Sequence, residues 1–107
     1  MSGPLGDMSS LLKQAQQMQR ELDRVKEDLR KTSVRGTAGA GAVVVELTGD
    51  RKVNRVVIAP ELVKAGDAAA IEDLVSLAMR DALSKADALA EKAMAQVTGG
   101  LQLPGTF

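Results

Sequence analysis

Basic side chains recur at helical spacing near the start of this 107-residue chain and are well suited to bind a negatively charged partner. They lie three or four positions apart, so that in a helix they share one face. The members of this face are Lys13, Gln17, Arg20, Arg24 and Lys31. Lysine and arginine at this spacing suit the phosphates of a nucleic-acid backbone. Glu27 interrupts the face, and charged helix faces are usually solvated, so the residues alone favour a solvated surface with internal ion pairs over a phosphate-binding one.

Residues for other kinds of chemistry are scarce. The chain contains no histidine and no cysteine, so it lacks the usual general base, the usual metal ligand and a thiol nucleophile. Glu72 and Asp73 are adjacent, and adjacent positions on a helix point in different directions. Gly36, Gly39 and Gly41 follow the order GxxGxG and lead into a strand, whereas a dinucleotide site needs GxGxxG leading into a helix. The sequence therefore predicts a protein that is not an enzyme, and it indicates no cofactor or metal.

The helix that carries the basic face also carries an apolar one. Apolar residues alternate at spacings of four and three, which are the a and d positions of a heptad repeat. These residues, here called the seam, are Leu11, Ala15, Met18, Leu22, Val25 and Leu29. Ser9 or Ser10 can cap the helix, which is expected to end near Lys31. Because the seam is narrow, we expect the helix to pack on one partner helix or to project from the body.

The middle of the chain predicts a β-hairpin. Two runs rich in β-branched residues, 43–48 and 53–58, flank Gly49-Asp50. Apolar side chains occupy both faces of these strands, as in a sheet that is covered on both sides. One face is expected to contact helices of this chain, and a second copy of the chain is the economical cover for the other.

The length of the turn decides which side chains share a sheet face. A two-residue turn groups five residues, which are our expected dimer interface: Val43, Val45, Leu47, Val56 and Ile58. A three-residue turn replaces the last two residues with Val53 and Val57. The sequence does not decide between these two registers.

The remaining segments complete an α+β pattern. Residues 32–38 predict a weak strand before the hairpin, and Asp67 is placed to cap a second long helix with a broad apolar face. Gly99-Gly100 is expected to end that helix. We expect one domain over all 107 residues, with a flexible leader at 1–8 and an extended tail at 99–107.

Charge is balanced over the whole chain but is unevenly distributed. Residues 1–35 hold 7 basic and 5 acidic side chains, whereas residues 67–107 hold 3 basic and 6 acidic ones. A zero net charge is unusual for a strong DNA-binding domain, so any such binding is expected to be modest, non-specific or dependent on local concentration. Without a signal-peptide pattern or a stretch of roughly 20 apolar residues, a cytoplasmic protein without a membrane partner is expected.

Several segments resemble, in their order and spacing, the YbaB/EbfC family of bacterial nucleoid-associated proteins. They are KQAQQMQREL in the first helix, GxxGxG before the hairpin, IAPEL, IEDLV, DALSKA and the ending TGGLQLPG. The resemblance implies an α-β-β-β-α fold, with a small antiparallel sheet between two long helices. It also implies a homodimer that is joined through the sheets and carries two projecting N-terminal helices.

The resemblance further implies binding of double-stranded DNA in the bacterial cytoplasm, at the nucleoid, with a role in nucleoid organisation or gene regulation. No catalytic residues belong to the family pattern. The residues expected to contact DNA are Lys13, Gln17, Arg20, Arg24, Lys26, Arg30, Lys31 and Arg35. The alternative is an adaptor that docks another protein on the seam without binding DNA.

Overall fold

The computed structural model describes residues 3–101 and arranges them as a helix, three strands and two further helices. The elements are α1 (Gly3–Lys31), β1 (Ser33–Ala38), β2 (Val43–Thr48), β3 (Val53–Ile58), α2 (Pro60–Lys64) and α3 (Ala68–Leu101). This order confirms the expected α-β-β-β-α arrangement. The short helix α2 follows the hairpin and begins with a proline, Pro60, in its first turn.

The first helix begins earlier than expected. α1 starts at Gly3 instead of at Ser9 or Ser10, so the expected leader at residues 1–8 is helical wherever the structure describes it. Pro4 lies in the first turn, where a missing amide hydrogen removes no intrahelical hydrogen bond. With 29 residues, α1 is about 43 Å long.

The last helix begins as expected and ends later than expected. The Asp67 carboxylate accepts a hydrogen bond from the amide of Ala70 over 3.1 Å, which is the predicted N-cap. α3 continues past Gly99-Gly100 to Leu101, so the predicted stop is wrong. A glycine lowers helix propensity by about 1 kcal/mol but does not by itself end a helix. The rest of the expected tail, residues 102–107, lies outside the described residues.

The three strands form an antiparallel sheet in the order β1-β2-β3, so β1 and β3 are its edges. Next to the turn Leu47 pairs with Val53, which is the register of the three-residue turn. A bulge between Glu46 and Leu47 then shifts the register, so that Val56 and Ile58 share a face with Val43 and Val45, as the two-residue turn predicted. One face of the sheet therefore carries the five residues that the two-residue turn groups together, and also Val53, which only the three-residue turn placed there.

The core lies between the sheet and α3. Val43, Val45 and Leu47 are fully buried, and they pack with Ala78 and Ala82 of α3. Burying a valine or leucine side chain contributes about 2 kcal/mol each. Because this chain itself covers them, these three strand residues are not exposed to a second copy. This burial corrects that part of the expected dimer interface.

Helix α3 lies close to β1 because Gly36 has no side chain. A Cβ at Gly36 would lie 2.1 Å from the carbonyl oxygen of Ala78 and 2.2 Å from the amide nitrogen of Ala82. Neither backbone atom can move without displacing the helix. Glycine on the strand and alanine on the helix therefore set the distance between the two layers.

Candidate nucleic-acid interface

Helix α1 joins the body only through its C-terminal part. It contacts α3 and β2, and Val25 and Leu29 are buried there. Residues 8–17 are exposed throughout, while Met18 and Leu22 are half-buried. The molecule is 78 Å long and only 26 Å and 16 Å across, in keeping with a projecting helix. We call α1 residues 8–24 the arm.

The base of the arm is fixed to the turn between β2 and β3. The amide of Gly49 donates hydrogen bonds to the carbonyl oxygens of Leu29 and Thr32, over 2.9 Å and 2.8 Å. A Cβ at Gly49 would lie 2.7 Å from the same Leu29 oxygen, so this contact also depends on glycine. The sheet therefore determines where the arm leaves the body.

All eight residues expected to contact DNA are exposed. Seven of them lie on α1, on faces other than the one that carries the buried seam residues. The eighth, Arg35, belongs to β1 and contacts the Glu46 carboxylate over 3.6 Å. Glu46 pairs across the sheet with both Arg35 and Arg55, so this part of the sheet carries a separate, partly neutralised charge row.

Ion pairs within α1 neutralise some of its cations. Arg24 contacts Glu21 over 2.5 Å. Arg30 contacts Glu27 through two hydrogen bonds of 3.0 Å and 2.5 Å, and Lys31 approaches the same carboxylate to 3.5 Å. These pairs are exposed, so each contributes little to stability and can exchange its carboxylate for a phosphate.

Three cations of α1 form no ion pair with a carboxylate of the described side chains. They are Lys13, Arg20 and Lys26. Lys13 and Arg20 lie seven residues apart, on the side of the helix opposite the seam. They are therefore the cations that an approaching phosphate meets without first displacing a carboxylate.

Glu27 is held in its charged form by its basic neighbours. The hydrogen bond from Arg30 is the main cause that lowers the pKa of Glu27 from 4.5 to about 2, and the Lys31 ammonium adds to it. The same contact raises the pKa of Arg30. At neutral pH the acidic interruption of the basic face is therefore fully ionised.

The two edges of the sheet differ in their hydrogen bonding. On β1, the Thr37 amide donates to the Asp81 carboxylate over 3.0 Å, and the Arg35 carbonyl accepts from the Lys85 ammonium over 3.0 Å. Asp81 and Lys85 also contact each other over 3.1 Å. Side chains of α3 thus occupy two of the outward backbone groups of β1, which makes this edge less available for pairing with another strand.

The β3 edge is open by comparison. Val53 and Val56 are 57 % and 42 % exposed, because α3 packs over β1 and β2. Val57 is 40 % exposed and lies on the opposite face of the sheet, beside Val44. Val56 was an expected interface residue, whereas Val53 and Val57 appeared only in the alternative register. In the sequence, these three residues share one feature: they are valines of a single strand, and they occupy both of its faces. The exposed valines and the unpaired edge make β3 the candidate dimer surface.

Sites for other ligands are not evident in residues 3–101. No group of acidic, histidine or cysteine side chains among them is arranged to hold a metal ion. Over the same part of the chain, none of the helices combines the length and the apolar character needed to span a bilayer.

The fold and the exposed cations define a small α+β protein with a basic projecting helix. A model of the YbaB/EbfC DNA-binding family matches residues 5–101. A nucleoid-associated protein from Acetivibrio thermocellus is 41 % identical over 95 % of this chain and 91 % of its own length. Another from Chloroflexus aggregans is 47 % identical over 86 % of this chain and 92 % of its own length. The chain belongs to the YbaB/EbfC DNA-binding family.

The crystal structure of an uncharacterised Helicobacter pylori protein has the same fold. It superposes with a TM-score of 0.69, at 22 % sequence identity, over 87 % of this chain and 95 % of that protein. At this identity the match supports the arrangement of helices and strands alone.

Proposed function

We propose that this protein is a homodimeric nucleoid-associated protein that grips the backbone of duplex DNA with its two arms. The observation that carries the proposal is the exposure of Lys13 and Arg20 on the outer face of the arm, without a described carboxylate partner. Family membership supplies DNA as the ligand. The expected role is nucleoid organisation or gene regulation in the bacterial cytoplasm.

The cations fall into two groups in this proposal. Lys13, Arg20 and Lys26 bind phosphates directly, whereas Arg24, Arg30 and Lys31 exchange a glutamate for a phosphate. Gln17 lies between the first two and can donate a hydrogen bond to a phosphate or a base edge. Phosphate contacts carry little sequence information, so binding is expected to depend weakly on DNA sequence.

The acidic part of the chain restricts how DNA can approach. Helix α3 carries Glu72, Asp73, Asp87 and Glu91 as exposed carboxylates. A duplex that lies along α3 would meet repulsion from these groups, so the arm face of α1 is favoured. This uneven distribution accounts for DNA binding by a chain whose net charge is zero.

β3 joins the two copies of the proposed homodimer. Its free backbone groups pair with β3 of the second copy, and the exposed faces of Val53, Val56 and Val57 become covered. Dimerisation through the other edge is disfavoured, because Asp81 and Lys85 already occupy two of its backbone groups. The dimer doubles the number of arms and so the number of phosphates that one protein can bind.

The experiment that tests the proposal is fluorescence anisotropy with a labelled duplex of random sequence, over a salt series. Three unpaired cations on α1 of each of the two copies give a slope of about −5 for the logarithm of the association constant against that of the salt concentration. A slope near zero, or no binding at low salt, contradicts the proposal. Unlabelled duplex of unrelated sequence is then added as a competitor. If it displaces the labelled duplex, binding is non-specific.

A further inference from the structure

The seam of α1 is buried near the body and becomes exposed towards the N-terminus of the helix. Val25 and Leu29 are each 7 % exposed, because the body covers them. Met8 and Leu11 occupy the same a and d positions farther out and are 63 % and 62 % exposed. The apolar surface therefore continues an existing helix interface beyond the point where this chain covers it. We call Met8, Leu11, Ala15 and the half-buried Met18 the exposed seam.

The exposed seam is complementary to a second copy of itself in an antiparallel arrangement. When two such helices cross at residue 13, Met8 of one lies opposite Met18 of the other, and Leu11 lies opposite Ala15. Every layer then combines an a position with a d position, as antiparallel coiled coils require. The two central layers set Leu11 against the small Ala15, and the two outer layers set Met8 against Met18, whose flexible side chains can adapt to each other. A parallel pair would instead place Leu11 on Leu11 and leave a gap between the two alanines.

The charges near the exposed seam permit this pairing. Between residues 8 and 19 the only charged side chain is Lys13, and the neighbours are serine and glutamine. Lys13 lies on the face opposite the seam. Two seams can therefore approach without like-charge repulsion, and the cations proposed to bind DNA stay outside the contact.

We propose that the exposed seams of two dimers pair antiparallel, tip to tip, so that the protein links two DNA duplexes. An antiparallel contact between tips keeps the two bodies at opposite ends, where they do not clash. The pairing itself does not depend on DNA, whereas the linking of duplexes rests on the proposed function. Four layers bury less than the roughly 1,200 Å² of a stable interface, so the contact is weak in solution. When many dimers bind to DNA, the effective concentration of the exposed seams rises, and the weak contact can form.

Disulfide trapping tests the pairing and its direction without DNA. The natural chain has no cysteine, so Leu11→Cys and Ala15→Cys each introduce a single thiol. The two variants mixed together are expected to cross-link several-fold faster than either variant alone, into a species of four chains by sedimentation. Three results would overturn the proposal: fastest cross-linking of Leu11→Cys with itself, a cross-linked species of dimer mass, or no cross-linking. In the last case residues 102–107, or another protein, are the alternative cover for the seam.

A bridging assay with a matched pair of variants tests the functional consequence. Duplex fixed to beads captures a second, labelled duplex only when protein links the two. Leu11→Gln is expected to reduce capture at least fivefold and to leave the affinity for a single duplex unchanged. Leu12→Gln makes the same change at a residue of similar exposure, 61 % against 62 %, beside the seam, and is expected to retain capture. Equal capture by both variants and the natural protein contradicts the proposal.

The two experiments separate failure of this inference from failure of the proposed function. If the natural protein does not bind a single duplex, the proposed function fails and bridging is lost with it. The disulfide test still decides whether the seams pair. If single-duplex binding is intact and only bridging is absent, the seam proposal alone is wrong.

Discussion

The Asp81 carboxylate accepts a hydrogen bond from the backbone amide of Thr37, 3.0 Å away, at the outer edge of the sheet. This bond lowers the pKa of Asp81, and the Lys85 ammonium contributes to the same shift. Thr37 would otherwise present a free amide to any strand that approached. The bond therefore removes one backbone donor from the β1 edge, which makes β3 the more accessible edge of the sheet.

A charge on the open edge should separate the proposed dimer. Val56→Lys places an ammonium among the exposed valines of β3, and burying that charge against a second copy is costly. We expect a monomer by sedimentation velocity at concentrations where the natural protein is a dimer. Val63→Lys is the matched control, because Val63 of α2 is 57 % exposed and lies outside the strand. Dimers of normal stability from Val56→Lys would contradict the β3 interface.

A methyl group at Gly36 should destabilise the fold. Its Cβ would overlap the backbone of α3 at a distance of 2.1 Å, so Gly36→Ala is expected to lower the free energy of unfolding by about 3 kcal/mol. Urea unfolding followed by circular dichroism measures the change. Gly99→Ala is the control: its Cβ meets no atom within 4 Å, and it is expected to raise stability by up to about 1 kcal/mol. Equal stability of the Gly36→Ala variant and the natural protein would be evidence against the close packing of α3 on β1.

Acid should destabilise the C-terminal part of α1 through Glu27. Its pKa is about 2 in the folded protein and 4.5 in the absence of its partners. The folded state therefore binds fewer protons than the unfolded state in this range, so the contribution is complete above about pH 4.5 and is lost as the pH falls towards 2. Thermal unfolding at a series of pH values measures it. Glu27→Gln cannot titrate and should show a shallower loss of stability over this range; an unchanged slope would count against the Arg30 contact.

Local periodicity predicted the elements and part of the packing. The spacing of Leu22, Val25 and Leu29 predicted both the helix and the side chains that its body contact buries. Alternation of valines predicted the hairpin, and Asp67 predicted the start of α3. Each of these signals involves residues close together in the chain, where the period of the side chains alone determines the face they occupy.

The placement of α3 over the sheet was outside the reach of the sequence pattern. Val45 and Val56 are paired across two strands and are chemically identical, yet the first is fully buried and the second is 42 % exposed. The difference arises because α3 packs over β1 and β2. The protection of the β1 edge depends in turn on Asp81 and Thr37, which are 44 residues apart. The periodicity of side chains within one helix or strand gives no information about such a distant pair. The sequence pattern therefore could not show which edge of the sheet was free.

Charge reversal at Arg20 tests the central claim most directly. Arg20→Glu changes an exposed arm cation that has no described carboxylate partner, and Arg80→Glu makes the same change at an exposed arginine of α3. Anisotropy over a salt series is measured for both variants, after circular dichroism and sedimentation have shown that each remains folded and dimeric. We expect Arg20→Glu to weaken binding about tenfold or more and to reduce the salt slope by about two, one contact from each arm, while Arg80→Glu has little effect. Equal affinities and slopes for both variants and the natural protein would show that DNA does not bind the arm.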